Sequence, residues 1–91
     1  MMSNIPLNLD KVKKPEIDKE ICRVGMIAEL DAVSLYEQMA AMTDDKVLKE
    51  TLLDIAKEEK THVGEFEAIL LRLDKEQEKE LVAGKEEVEE R

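Results

Sequence analysis

Two apolar stripes at helical spacing, separated by one short turn signal, constrain the fold of this 91-residue chain more than any other feature. Apolar residues recur three and four positions apart before and after residues 42–45, whose sequence Met-Thr-Asp-Asp is the strongest turn signal in the chain. Residues at this spacing share one face of an α-helix. The pattern therefore predicts an all-α fold in which two long helices form an antiparallel hairpin.

Three polar side chains lie within these stripes, Glu29 in the first and Glu59 and His62 in the second. Glu29 and Glu59 are equally far along the chain from Asp44, so a reversal there brings them to the same height on facing helices. His62 follows Glu59 by three positions, which places it about 4.5 Å further along the same helix. A carboxylate buried alone among aliphatic groups is costly, and a bound metal would offset that cost.

A Glu from one helix and Glu-x-x-His from the other make half of the ligand set of the di-iron carboxylate proteins, whose four-helix bundles supply two such sets. The chain contains one His, so we expect two chains to meet and complete the site in a four-helix bundle. The alternative is a core histidine with two incidental glutamates, because Glu-x-x-His alone is a weak signal in a Glu-rich chain. Carboxylate and imidazole ligands suit iron, manganese or zinc and do not select among them.

Composition limits the remaining possibilities. The net charge of −9 argues against nucleic acid or an anionic membrane as a partner, since both bind basic surfaces. A chain this short buries a limited fraction of its surface, which favours association. The single cysteine, Cys22, excludes an intrachain disulfide and a four-cysteine iron centre, and its position in the apolar stripe indicates a small core residue. No membrane span or signal peptide is apparent, and the cytoplasm is the expected location.

The pattern predicts three segments. Residues 1–14 are expected to form an extended arm, residues 15–74 the hairpin, and residues 75–91 a short helix with a charged tail. The first helix should span residues 15–42, with Thr43 or Asp44 capping the second. The third helix should span residues 75–82 and stop at Gly84, and the acidic tail should fray.

Two further residues of the first helix lie near Glu29. Gly25 allows another helix to approach closely one turn away. Tyr36 lies two turns from Glu29 on the same face. Tyr36 is either a core aromatic residue whose hydroxyl finds a partner or a donor close to the metal, and the spacing leaves both alternatives open.

The sequence around these positions resembles the rubrerythrin and ferritin-like superfamily and, more narrowly, the encapsulated ferritins, which are half-length ferritin homologues. The similarity extends over residues 16–74 and is carried by two segments. Residues 29–36 read Glu-Leu-Asp-Ala-Val-Ser-Leu-Tyr, and residues 58–66 read Glu-Glu-Lys-Thr-His-Val-Gly-Glu-Phe. The resemblance implies a ferroxidase whose di-iron centre forms between two hairpins and oxidises Fe(II) to Fe(III).

By position, the resemblance makes Glu29, Glu59 and His62 the iron ligands and Tyr36 the tyrosine near the site, so that these four are the expected catalytic residues. It also implies that dimers assemble into a ring, typically a decamer, which works inside an encapsulin shell that stores the iron. The shell protein is the expected partner, and some members of the family are fused to it.

Two positions and one segment depart from the family pattern. Ala28 stands before Glu29 where an acidic residue can assist iron uptake, leaving Asp31 as the acidic neighbour. Leu35 replaces a tryptophan found in some members. Residues 81–85 begin like a shell-targeting peptide but continue into an acidic run, so a fusion to the shell is the alternative. The rival functions are a rubrerythrin-like peroxidase and a metal-free acidic helical module that only assembles.

Overall fold

The hairpin predicted from the two stripes is present in the computed structural model, which describes residues 13–91. A 3₁₀ turn at Lys14–Glu16 leads into helix α1 (Ile17–Met42), which is followed by α2 (Lys46–Leu73) and α3 (Lys75–Glu89). Within the described residues there is no β-strand. The all-α hairpin with an additional C-terminal helix is therefore confirmed. The expected extended arm, residues 1–14, lies outside the described residues except for Lys13 and Lys14.

The first helix begins slightly later than predicted. Pro15 lies in the 3₁₀ turn and not in the first turn of α1, which starts at Ile17. The Glu16 N–H donates to the Lys13 carbonyl at 2.8 Å and closes this tighter turn. Short 3₁₀ turns are common at helix termini because they satisfy backbone groups that have no partner in the helix.

Asp45 caps α2, so the prediction of Thr43 or Asp44 was wrong. The Asp45 carboxylate accepts a hydrogen bond from the Leu48 N–H at 2.8 Å. Thr43 instead stabilises the turn, where its hydroxyl oxygen accepts from the Asp45 N–H at 3.1 Å. Several residues that can act as caps stand side by side here, and the sequence alone does not decide among them.

Asp74 separates α2 from α3 and ties their junction to α1. Its carboxylate caps α3 by accepting from the Gln77 N–H at 3.0 Å, and it also accepts from Arg23 of α1 at 3.1 Å. The Gln77 N–H, together with the charges of Lys19 and Arg23, holds the pKa of the Asp74 carboxyl below its ordinary range. The side-chain hydrogen bond to Glu20 raises the pKa of Arg23.

Helix α3 is longer than predicted and ends at Glu89, not near Val82. Gly84 lies inside the helix, where glycine costs about 1 kcal/mol relative to alanine. Lys and Glu residues on both sides are good helix formers, and Lys85 lies 3.8 Å from Glu89 one turn later. The predicted stop at Gly84 was therefore wrong. The predicted fraying of the tail was also wrong for residues 85–89, which are helical.

The hairpin buries a thin core of mostly small side chains, three from each of its helices. The buried residues are Cys22, Val33 and Ala40 of α1 and Leu52, Ala56 and Leu70 of α2. Cys22 is thus a core residue, as predicted. No helix in residues 13–91 combines the length and the apolar character needed to cross a bilayer.

Much apolar surface remains outside this core. Each of the three helices also carries large apolar side chains that are exposed, by 41% to 83%. They are Ile21, Ile27, Leu30, Leu35, Met42, Val47, Leu48, Leu53, Ile69, Leu73, Leu81, Val82 and Val88. This many exposed large apolar side chains on a short chain favour association with another chain.

Candidate metal centre

The hairpin brings Glu29 of α1 next to Glu59 and His62 of α2. The Nδ1 atom of His62 lies 3.3 Å from Glu29 Oε2 and 3.4 Å from Glu59 Oε2. One nitrogen or oxygen atom from each of the three side chains lies within 4.8 Å of the other two. Glu59 and His62 reach the same point because residues three apart are neighbours on a helix surface.

The three side chains are partly buried, the two carboxylates more deeply than the imidazole. The exposed fraction is 21% for Glu29, 20% for Glu59 and 44% for His62. Beside them lies an open groove of about 310 Å³, lined by Glu29, His62, Glu65, Phe66 and Ile69. The site is therefore sheltered within the hairpin on one side and open on the other, where Glu65 and the apolar side chains of Phe66 and Ile69 border it.

Glu29, Glu59 and His62 could either form hydrogen bonds with one another or bind a shared cation, and the distances between their atoms bear on this choice. A protonated imidazole usually donates to a carboxylate at about 2.7–2.9 Å, and His62 Nδ1 carries at most one hydrogen for two carboxylates. Both observed separations are longer than that. Two ligands each about 2.1 Å from one ion lie roughly 3.0–3.4 Å apart, depending on the coordination geometry. The separations from His62 Nδ1 to the two carboxylate oxygens are thus compatible with a shared cation.

The donor set also fits iron. Two carboxylates and one imidazole are ligands that Fe(II), Mn(II) and Zn(II) all accept. Three protein ligands leave coordination positions free, which is the arrangement of a reactive and not of a closed structural site. Glu29, Glu59 and His62 are therefore the residues that would hold a metal in this chain, and their role as ligands stays a prediction.

Tyr36 lies apart from this cluster in the single chain. It follows Glu29 by seven residues on α1 and is half-buried. Two helical turns separate the residues by about 10 Å along the axis. Among the hydrogen bonds of the described residues, none joins Tyr36 to Glu29, Glu59 or His62. Its expected role near the metal stays a prediction.

Sequence reasoning missed one part of the site, the contact between Gly25 and Phe66. The ring of Phe66 lies so close to Gly25 that a Cβ atom at this position would be 2.8 Å from two of its carbons. The close approach expected at Gly25 is confirmed. Its partner could have been found from spacing, because Gly25 precedes Glu29 by four residues and Phe66 follows His62 by four.

Comparison with known proteins supports a family assignment. No protein-family model matches the chain. The chain is 55% identical over 84 residues to a ferritin-like–encapsulin shell fusion protein of Pyrococcus furiosus, in an alignment that covers 92% of this chain. The chain spans 24% of the length of that relative.

The structural comparison covers nearly the whole chain. The crystal structure of the encapsulated ferritin domain from Pyrococcus furiosus matches with a TM-score of 0.84 and 52% sequence identity. The match extends over 99% of this chain and 94% of that domain. The resemblance drawn from residues 16–74 is thereby confirmed, and the chain belongs to the encapsulated ferritin family.

Proposed function

We propose that this chain is a ferroxidase that oxidises Fe(II) to Fe(III) at a di-iron centre formed between two copies. The observation that carries the proposal is the convergence of Glu29, Glu59 and His62 at separations that suit a shared cation. Membership of the encapsulated ferritin family supports iron as that cation.

One chain supplies half of a di-iron ligand set. Carboxylate-bridged iron pairs in four-helix bundles are held by a Glu from each of two helices and a Glu-x-x-His from each of two others. Two copies of this hairpin provide that set. In the proposal Glu59 would be the carboxylate shared by the two ions, because it lies beside His62 on α2, and Glu29 and His62 would each be a ligand of a single ion.

The open side of the site supports pairing of two copies there. Ile69 borders the same groove as Glu29 and His62, and it is 47% exposed. A second hairpin laid on this side would bury apolar surface and bring a second set of ligands to the first. Burial on both sides would also strengthen every charge interaction with the ions, because water would be excluded.

The charges balance in this arrangement. Two Glu29 and two Glu59 carboxylates carry four negative charges, which offset the four positive charges of two Fe(II) ions. Oxidation adds two positive charges to the pair, and oxygen ligands favour the harder Fe(III) ions. Two Fe(II) ions give one electron each, and dioxygen takes both electrons with two protons to form hydrogen peroxide. Coordination positions that the protein side chains leave free would be available to dioxygen.

The proposal extends to the assembly. The fusion of a ferritin-like segment to an encapsulin shell in the Pyrococcus furiosus relative supports a shell as the place where the oxidised iron is stored. This chain would act inside that compartment, either fused to the shell protein or bound to it. The ring of ten chains implied by the family resemblance is part of the same proposal.

The test compares the wild-type chain with His62→Ala. Anaerobic protein is mixed with Fe(II) and then with air, and formation of Fe(III) is followed by its near-ultraviolet absorbance. Sedimentation velocity measures the oligomer before and after iron is added. We expect fast oxidation by the wild type and loss of this oxidation in His62→Ala, which should still fold into helices. Equal oxidation rates in the two proteins would refute the assignment. Faster turnover with hydrogen peroxide than with dioxygen would favour the peroxidase alternative.

A further inference from the structure

We infer that Gly25 and Phe66 form a positioning pair, which sets the separation of Glu29 and His62 across the hairpin and thereby tunes the affinity and geometry of the metal site. The inference rests on the proposed function, because it concerns residues that act on the same site. It adds two residues that bind no metal themselves.

The contact leaves no room for a side chain. A Cβ atom at Gly25 would lie 2.8 Å from Phe66 Cε1, 2.8 Å from Cζ and 2.9 Å from Cδ1. Ordinary van der Waals contact with a Cβ atom begins at about 3.4 Å. Three consecutive ring carbons are equally near, so a small rotation of the ring does not relieve the overlap. Glycine at position 25 thus lets α2 approach α1 more closely here than any other residue would.

The pair lies one helical turn from the metal ligands on both helices. Gly25 and Glu29 share a face of α1, and His62 and Phe66 share a face of α2, because residues four apart are neighbours on a helix surface. The helices are antiparallel, so Gly25 and Phe66 both lie one helical turn further from the turn at residues 42–45 than Glu29 and His62 do. A helix is rigid over a single turn, and a change in helix separation at one contact is passed to the next.

The size of the effect follows from the distances. To restore ordinary contact, Gly25→Ala must move the ring or the helix by roughly 0.6 Å. Metal–ligand distances tolerate deviations of about 0.2 Å, and reactive constellations need their side chains held within about 0.5 Å. The required shift exceeds both tolerances.

Phe66 has a second effect on the site. Its ring lines the groove that Glu29 and His62 also line. If Gly25→Ala displaces the ring and not the helix, the apolar wall beside the ligands moves into the groove or away from it. Either response changes the site, by ligand separation or by access of water.

The chain provides a matched control for this substitution. Gly64 also lies within a helix, between His62 and Phe66, and a Cβ atom there would meet nothing within 4 Å. Gly64→Ala and Gly25→Ala make the same chemical change, and both gain the higher helix propensity of alanine. They differ in the contact with Phe66.

The experiment titrates Co(II) into the wild type, Gly25→Ala, Gly64→Ala, Gly25→Ala/Phe66→Leu and His62→Ala, and records the visible ligand-field spectrum. Leu lacks the Cε1 and Cζ atoms that come nearest to Gly25. Circular dichroism and sedimentation compare the fold and oligomer of the five proteins. We expect Gly25→Ala to lower the affinity for Co(II) by about 10-fold to 100-fold, the range typical of residues that support metal ligands, and to shift the spectrum. Gly64→Ala should match the wild type. In the double variant Gly25→Ala/Phe66→Leu, the Co(II) affinity and the spectrum should return to those of the wild type.

The results separate this inference from the proposed function. If His62→Ala changes the Co(II) spectrum but Gly25→Ala does not, the positioning role of Gly25 and Phe66 is overturned and the metal site is not. Loss of binding in Gly25→Ala without recovery in the double variant also overturns it, because relief of the overlap should suffice. A wild-type spectrum that His62→Ala leaves unchanged overturns the proposed function and the positioning role together.

Discussion

Replacing Glu29 by Gln should stabilise the metal-free chain and destroy its response to metal. Glu29 and Glu59 present oxygen atoms within 4.8 Å of each other, and both side chains are about four-fifths buried. Two unit charges 4.8 Å apart repel by about 0.9 kcal/mol at the dielectric constant of water and about 3.5 kcal/mol at an effective dielectric of about 20. The neighbouring imidazole and residual contact with water favour the lower end. Gln keeps the shape of Glu, so we expect Glu29→Gln to raise the free energy of unfolding by about 1 kcal/mol.

The measurement is urea unfolding followed by circular dichroism, at one fixed pH, with a chelator and a fixed protein concentration. The control is Glu58→Gln. Glu58 is exposed beside Glu59, and its substitution changes the net charge by the same amount without touching the cluster. Glu58→Gln should leave the stability nearly unchanged, which separates local repulsion from the general effect of the net charge of −9.

The second half of the experiment adds metal. A ligand present at 100 times its Kd stabilises a protein by about 2.7 kcal/mol for each site. Wild-type chain with Co(II) should gain stability of this order, and Glu29→Gln should gain little, because it has lost a charged ligand. If Glu29→Gln instead destabilises the metal-free chain, the three residues form an ion-pair network that supports the fold, and the metal site is refuted.

Three further predictions concern the surroundings of the site. Leu70→Ala should lower the free energy of unfolding by about 2–3 kcal/mol, since Leu70 is 4% exposed in a thin core, and a loss under 1 kcal/mol in denaturant titration would contradict this packing. Because the pKa of Asp74 is lowered in the folded chain, its stabilising effect should be present above the ordinary carboxyl range and be lost as the pH falls below about 4. The stability difference between wild type and Asp74→Asn should therefore shrink in acid, and a constant difference would exclude the contribution of the carboxylate charge. Tyr36→Phe should leave Co(II) affinity unchanged, because Tyr36 lies about 10 Å along the helix axis from Glu29, and a loss as large as that of His62→Ala would contradict this placement.

The hairpin and the meeting of three side chains were predictable because both follow from helical periodicity. Apolar residues three and four apart determine which faces pack, and a turn midway between Glu29 and Glu59 determines the register of the facing helices. The Glu29–His62 distance of 3.3 Å is the consequence. Long periodic segments carry this information redundantly, so small errors at their ends do not alter which residues meet.

Helix termini were less predictable because competing local interactions differ little in energy. Thr43, Asp44 and Asp45 are all suitable caps, and the structure uses Asp45. Gly84 is compatible with a helix end or a helix interior, and its Lys and Glu neighbours favour the interior. The choice in each case depends on small energy differences among neighbouring interactions, which residue type alone does not resolve.

The closeness of the contact between Gly25 and Phe66, as opposed to the pairing of these two residues, could not be predicted from sequence for a different reason. Periodicity indicates that both residues face inward, but the distance between the helices depends on all the side chains between them. The small size of Ala40 and Ala56, both nearly fully buried, allows close approach elsewhere along the hairpin. Gly25 extends that approach past the candidate ligands, which lie about midway along both helices.

An anomalous-difference map at the iron absorption edge, from crystals grown with Fe(II) without oxygen, tests the central claim most directly. The account predicts two iron peaks between two chains, each peak bordered by Glu29, Glu59 and His62 side chains and both chains contributing ligands. A map without iron at these residues, or with one ion held entirely within a single hairpin, would contradict it.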